Sequence, residues 1–178
     1  MNFRKYLPFE NYVIATNLSV EEVKRKLAEN VEPRRGFELF RTASYSKPYM
    51  GDLYGDTFTI SRVINYRNSF LPVITGAITT DFGETKVKIK MRPAIGVIIF
   101  MCFWLGVVGL VCLTMVVAAV FSEKTGSLDP VVFIPFAMFV FGCLLFTVPF
   151  KIESGISRKF LAKLLEAKEQ PVRPPEYV

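Results

Sequence analysis

The sequence AIGVIIFMCFWLGVVGLVCLTMVVAAVF, residues 94–121, contains no Asp, Glu, Lys or Arg. A second uncharged run, PVVFIPFAMFVFGCLLFTVPF, occupies residues 130–150 and follows a short polar stretch. A helix needs about 20 apolar residues to cross a hydrocarbon core of about 30 Å, and both runs have this length. The two runs therefore predict a transmembrane hairpin in a multi-pass membrane protein.

The positive charges beside the two runs predict the orientation of the hairpin. The connecting stretch contains only Lys124 as a basic residue, whereas the outer flanks carry Lys86, Lys88, Lys90, Arg92, Lys151, Arg158, Lys159 and Lys163. Short flanks rich in lysine and arginine stay in the cytoplasm, so both termini are predicted to be cytoplasmic. The net charge of +6 agrees with this bias. No basic and aromatic motif of a nucleic-acid-binding module is present, so we expect no nucleic-acid partner.

The composition excludes several classes of enzyme. The chain has no histidine, which removes Ser-His-Asp and Cys-His catalysis and the common histidine-containing metal sites. Its three cysteines, Cys102, Cys112 and Cys143, all lie inside the apolar runs, where cysteine is usually an inert packing residue. We therefore expect no enzymatic activity, no catalytic residue, no cofactor and no metal site. The segment 51–56 has two glycines and two aspartates, and a turn explains it better than a cation-binding loop does.

The region before the hairpin predicts an α+β fold. Ser19 and Glu22 have capping-box spacing, which predicts a helix from about Val20 to Asn30. Apolar residues then alternate with polar ones from Phe37, over 57–68, after Pro72, and over 85–92. We predict an antiparallel sheet of four or five strands with one packed helix. The domains are then 1–92 (cytoplasmic α+β domain), 93–151 (hairpin with spans of about 94–121 and 130–150), 152–170 (amphipathic helix) and 171–178 (disordered tail).

Two groups of basic residues are candidates for contact with the lipid surface. One face of the last strand carries Lys86, Lys88, Lys90 and Arg92, which predicts either a solvent-facing or edge-protecting ladder or contact with anionic headgroups. In the segment 152–170, the basic residues Arg158, Lys159 and Lys163 lie opposite an apolar side formed by Ile152, Ile156, Phe160, Leu161, Leu164 and Leu165. This helix either lies at the membrane interface or docks onto the sheet.

A candidate ligand site occurs between two predicted strands. Arg67, Asn68 and Ser69 offer the donors that a phosphate or carboxylate requires. The alternative is a strand corner, in which Asn68 and Ser69 bond to the backbone and Pro72 fixes the turn. In the first span, Cys102, Gly106 and Gly109 form a face of small residues that permits close helix packing. Its partner is either the second span or another copy of the chain, so a homo-oligomer is possible.

The sequence also resembles a family. The residues Phe58-x-Ile60-x-Arg62, the run from Tyr66 to Ile74, Gly76 and Ile78, the basic strand and the two spans are similar to those of small bacterial membrane proteins with a cytoplasmic α+β domain. The resemblance covers residues 37–122 and implies the bacterial inner membrane, but it implies no activity. We therefore expect a membrane-anchored accessory or scaffold protein whose partners are the bilayer and a membrane or cytoplasmic protein. The alternative function is binding of an anionic small molecule or lipid headgroup.

Overall fold

The computed structural model describes residues 7–34, 46–64, 66, 68–81, 83–121 and 130–167. Within these ranges it has six strands, three α-helices and a 3-10 turn: β1 Glu10–Thr16, α1 Val20–Asn30, β2 Val31–Glu32, β3 Tyr49–Tyr54, β4 Thr57–Arg62, β5 Pro72–Asp81, β6 Glu84–Pro93, α2 Ile95–Phe121, the turn Pro130–Phe133, and α3 Ile134–Leu164. The α+β class is confirmed. The strand expected from Phe37, the polar stretch 122–129, the tail 171–178 and Arg67 lie outside the described residues.

Helix α1 begins where the capping box predicts. The Ser19 side-chain oxygen accepts a hydrogen bond from the Glu22 amide at 3.2 Å. The Glu22 carboxylate in turn accepts one from the Ser19 amide at 2.8 Å. The capping box satisfies two amides that the first helical turn leaves free, so this start is encoded locally.

The sheet has the strand order β1-β6-β5-β4-β3-β2. The prediction of a purely antiparallel sheet is wrong, because β2 pairs with β3 in parallel while the other neighbours are antiparallel. Helix α1 connects β1 at one edge to β2 at the other, so it carries the chain across the whole sheet. It thereby brings β2 to the far edge of the sheet, where β2 runs in the same direction as β3.

Strand β3 includes residues that the sequence pattern assigns to a turn. Gly51 lies inside β3 opposite Ile60, and only the two residues Gly55 and Asp56 form the turn to β4. A Cβ atom at Gly51 would lie 2.1 Å from the Thr59 carbonyl oxygen. Glycine is therefore required here by the close approach of two strands, rather than by a turn.

One face of the sheet forms the core. Helix α1 contributes Val23 and Leu27, and the last part of α3 contributes Phe150 and Leu161. The buried hydrophobic cluster consists of Tyr12, Ile14, Val23, Leu27, Val31, Tyr49, Phe58, Ile60, Ile74, Ile78, Val87, Ile89, Met91, Phe150, Leu161 and Leu165. Two helices therefore cover this face: α1, as predicted, and the end of α3, for which the sequence left docking on the sheet as one of two alternatives.

Helix α3 is a single helix that begins in the second apolar run and ends over the sheet. The sequence predicted a separate amphipathic helix from residue 152. In the structure these residues continue α3, which runs to Leu164 without a break. Its buried residues after 149 are Phe150, Glu153, Ser154, Ser157 and Leu161, so this part docks on the sheet. Ile152 and Ile156, expected on the apolar side, are 57% and 41% exposed.

Helices α2 and α3 are long and apolar enough to cross a membrane. Only 11% and 6% of their most apolar windows are buried inside the protein, unlike the core helix of a soluble protein. They contact each other through small residues. A Cβ atom at Gly109 would lie 3.3 Å from the Phe139 ring, and one at Gly142 would lie 3.0 Å from Leu105. Gly106, also on the predicted small-residue face, has open space beside it.

The packing of α3 sets the direction of the sheet. Residues 150–165 bury one stripe of the helix and the turn after it against the sheet core. At 1.5 Å per residue this stripe is about 22 Å long. A helix in contact over such a length has its axis along the plane of the sheet. The sheet therefore extends away from the apolar half of α3. The face of the sheet opposite the core is directed perpendicular to the helix axis.

Candidate functional site

The first feature of interest is a charged contact between β4 and α3. The Arg62 guanidinium donates a hydrogen bond to Glu153 at 2.7 Å, and the Tyr66 hydroxyl donates to the other oxygen of the same carboxylate. Glu153 is only 2% exposed. The hydrogen bond to Glu153 raises the pKa of Arg62 and also that of Tyr66. A buried carboxylate is tolerable here because two donors satisfy it.

A second contact with the opposite charge order joins β1 to α3. Glu10 accepts hydrogen bonds from the Lys151 ammonium at 3.0 Å and from the Ser154 hydroxyl at 3.0 Å. Strand β1 thus supplies the acidic partner of Lys151 on α3, while β4 supplies the basic partner of Glu153 on α3. We call these residues, Glu10, Arg62, Tyr66, Lys151, Glu153 and Ser154, the junction. Rotation or sliding of α3 would break both pairs, so the junction specifies one orientation of the helix on the sheet.

Buried hydroxyls lie beside the junction. The oxygens of Tyr12, Tyr49 and Ser157 are buried and have no hydrogen-bond partner among the described residues. Tyr49 stacks on Phe160 with ring centroids 4.7 Å apart, and the Arg158 guanidinium lies 5.2 Å from the Tyr12 ring centroid. Burial raises the pKa of both tyrosines. The two hydroxyls therefore stay protonated in the folded protein at pH values where an unfolded chain would lose these protons.

The buried tyrosines predict a loss of stability at alkaline pH. An unfolded tyrosine loses its proton near pH 10.0, whereas burial keeps Tyr49 protonated above that pH. The unfolded state then binds fewer protons, so the melting temperature should fall as pH rises above about 10. Tyr49→Phe should make this decline shallower. It should cost little at neutral pH, because the hydroxyl lies near that of Ser157 but makes no hydrogen bond of normal geometry with a described residue. Thermal unfolding of both proteins in detergent at several pH values measures this, and parallel curves would contradict it.

The predicted ligand corner lies beside α3. The Asn68 side chain accepts a hydrogen bond from the Phe70 amide at 3.0 Å, as the corner interpretation expects. Phe70 contacts Phe146 of α3 edge to face, with centroids 6.2 Å apart. Ser69 is exposed. The contacts of Tyr66 and Phe70 with α3 place the corner beside the residues at which α3 changes from apolar to polar. Arg67 lies outside the described residues.

The basic face of the last strand is part of a flat, open surface. Strand β6 lies between β1 and β5, so the edge-protecting interpretation is wrong. Lys88, Lys90 and Arg92 are exposed on the face opposite the core, and Lys86 pairs with Asp81 at 2.6 Å. We call the residues Lys86, Lys88, Lys90 and Arg92 the basic face. The other three predicted lipid contacts, Arg158, Lys159 and Lys163, are exposed on α3.

The aspartates of the β3–β4 hairpin are not gathered into a metal site. Asp56 forms an ion pair with Lys24 of α1 at 2.8 Å. Within the described part of the chain, no cluster of three or more carboxylate or thiol ligands occurs. Asp56 is therefore explained by the turn and by this surface pair, while Asp52 lies inside β3 opposite Thr59.

The sequence signals pointed to the basic face and the corner but missed the junction as a unit. One signal was available, because Arg62 interrupts the apolar face of its strand and Glu153 interrupts the buried stripe of α3. Such residues of opposite sign can pair when their faces meet. Their separation of 91 residues leaves the pairing unspecified until the fold is known.

Comparison of the chain with models of protein families, with curated proteins and with solved structures found no match. The function is therefore argued from the geometry of this chain alone.

Proposed function

We propose that the chain is a membrane-anchored accessory or scaffold protein that acts by protein interaction at the bacterial inner membrane, with both termini in the cytoplasm. The observation that carries this proposal is the continuity of α3 from its apolar half to the sheet core. A domain on a flexible linker explores many orientations, whereas this one is fixed to its anchor by a helix and two charge pairs. The protein presents a rigid surface to partners beside the membrane.

The direction of α3 also favours proteins over lipids as the partners of its exposed basic residues. At 1.5 Å per residue, Arg158 is about 12 Å and Lys163 about 20 Å beyond Phe150 along the axis. The potential of an anionic leaflet falls off within about 8 Å at physiological ionic strength. Contact of these residues with headgroups stays a prediction from sequence, and their distance from the apolar half along a continuous helix makes protein contact the better proposal.

Headgroup binding is the second candidate function, and the corner favours it. The contact between Phe70 and Phe146 brings Asn68 and Ser69 to the polar end of the span, where headgroups lie. Arg67, which the sequence assigns to the same site, adds a guanidinium suited to phosphate. This candidate uses a different part of the surface from the scaffold function, so the two can be tested separately.

Site-specific photocrosslinking in bacterial membranes tests the proposal. A crosslinking residue at Lys159 should give one protein adduct in high yield. Insertion of two glycines between Phe150 and Lys151, which breaks the rigid connection, should remove that adduct without lowering the amount of protein in the membrane. The same insertion between Thr125 and Gly126 is the control. Phospholipid adducts at Ser69 without a protein adduct at Lys159 would favour the second candidate, and no adduct at either position would contradict both.

A further inference from the structure

The face of the sheet opposite the core is the least explained surface of the described chain. Strand β6, which lies next to the edge strand β1, carries the basic face, whose residues alternate with the core positions of the same strand. Successive basic residues are about 7 Å apart along the strand, because a strand rises about 3.4 Å per residue. Three of the four, Lys88, Lys90 and Arg92, are exposed.

The neighbours of these residues are uncharged. Lys88 lies between Val13 of β1 and Ala77 of β5, and Lys90 lies between Asn11 and Thr75. The ion pairs between described residues include Lys86 with Asp81, but none of them involves Lys88, Lys90 or Arg92. The residues directly opposite Lys88 and Lys90 are therefore uncharged. The described acids on the same face are Asp81 and Glu84 at the hairpin end of β5 and β6, and Asp52 on β3, and none of them lies directly opposite Lys88 or Lys90.

The direction of the sheet decides between two anionic partners for this face. Helix α3 packs along the core face over its last residues and continues into the apolar half without a break. With α3 near the membrane normal, the basic face on the other side of the sheet points along the membrane plane and away from the headgroups. All four residues could touch a bilayer only if the sheet lay flat, which would require α3 to bend sharply at Pro149, and α3 is helical through this proline.

We propose that the basic face is the docking surface for an acidic segment of a partner protein, with Lys88, Lys90 and Arg92 as its anchors. Carboxylates about 7 Å apart, as on alternate residues of an extended segment, match the spacing of these cations and can form charge-assisted hydrogen bonds with them. The inference rests on the proposed function and names the chemistry of the partner. It assigns protein contact to residues that the sequence pattern associates with lipid.

A fluorescent decaglutamate peptide is the probe, and the full chain in nanodiscs of phosphatidylcholine is the receptor. We expect binding by fluorescence anisotropy that weakens as salt rises, because exposed charges are screened. The double variant Lys88→Glu/Lys90→Glu should weaken binding about tenfold or more. The matched control Lys24→Glu/Arg25→Glu makes the same charge change on α1, which covers the core face of the sheet, and should retain wild-type affinity. Equal effects of the two variants, or no peptide binding, would overturn the proposal.

Two further measurements separate this partner from other anions. An environment-sensitive dye on Ala77→Cys, in a chain whose native cysteines are replaced by alanine, should give the same spectrum in phosphatidylcholine and phosphatidylglycerol nanodiscs. A blue shift in the acidic lipid would place the face on the bilayer and overturn the proposal, as would equal binding of decathymidylate. If the peptide fails to bind while Lys159 still forms its protein adduct, this inference fails and the scaffold function stands.

Discussion

Arg62→Met should lower the free energy of unfolding by about 3 kcal/mol, because it removes the cation that compensates a buried carboxylate. Glu153 is 2% exposed, and its hydrogen bond with Arg62 is 2.7 Å long. Methionine keeps much of the length of the arginine side chain. The loss of stability therefore measures the removal of the charge more than the removal of packing contacts. Chemical denaturation in detergent micelles, followed by near-ultraviolet circular dichroism, measures the change.

Two further variants make the result specific to the junction. Lys24→Met removes a partner from the ion pair with Asp56, whose side chain is 63% exposed, and should leave stability nearly unchanged. Arg62→Met combined with Glu153→Gln should recover much of the loss, since no unpaired charge then remains buried. If Arg62→Met were as mild as Lys24→Met, the junction would contribute nothing to the docking of α3.

Gly76→Ala should cost about 2 to 3 kcal/mol through overpacking of the core. Gly76 faces Phe58 across β5 and β4, and a Cβ atom on it would lie 2.1 Å from the end of the phenyl ring. Phe58 is 2% exposed, so its ring has no free space to move into. The same denaturation experiment measures this loss.

The control for this substitution is Gly155→Ala in α3. A Cβ atom there meets nothing within 4 Å. The helix should gain up to about 1 kcal/mol from the better propensity of alanine. Adding Phe58→Leu to Gly76→Ala should restore part of the stability by shortening the opposing side chain. Equal effects of the two glycine substitutions would show that backbone propensity, and not the contact with Phe58, decides the outcome.

The docked part of α3 shows where sequence patterns mislead. Ile152 and Ile156 suggested the buried side of the helix, but they are exposed. Glu153, Ser154 and Ser157 are buried against the sheet instead, together with Leu161 and Leu165, which the sequence did place on the apolar side. Hydrophobic periodicity assumes that the buried side of a helix is apolar. Here that side faces Glu10 and Arg62, which supply polar partners for Ser154 and Glu153, so burial of polar groups is tolerated.

By itself the sequence determined the features that depend on neighbouring residues: the capping box of α1, the alternation along β6, and two helices of membrane-spanning length. The interactions that form these features involve residues close together in the chain, so a local sequence pattern is sufficient to predict them. The tertiary structure alone decided the place of β2, the inclusion of Gly51 in β3, and the junction between α3 and the sheet. These features depend on close approach, strand pairing and ion pairs between residues as many as 141 positions apart, which no local pattern encodes.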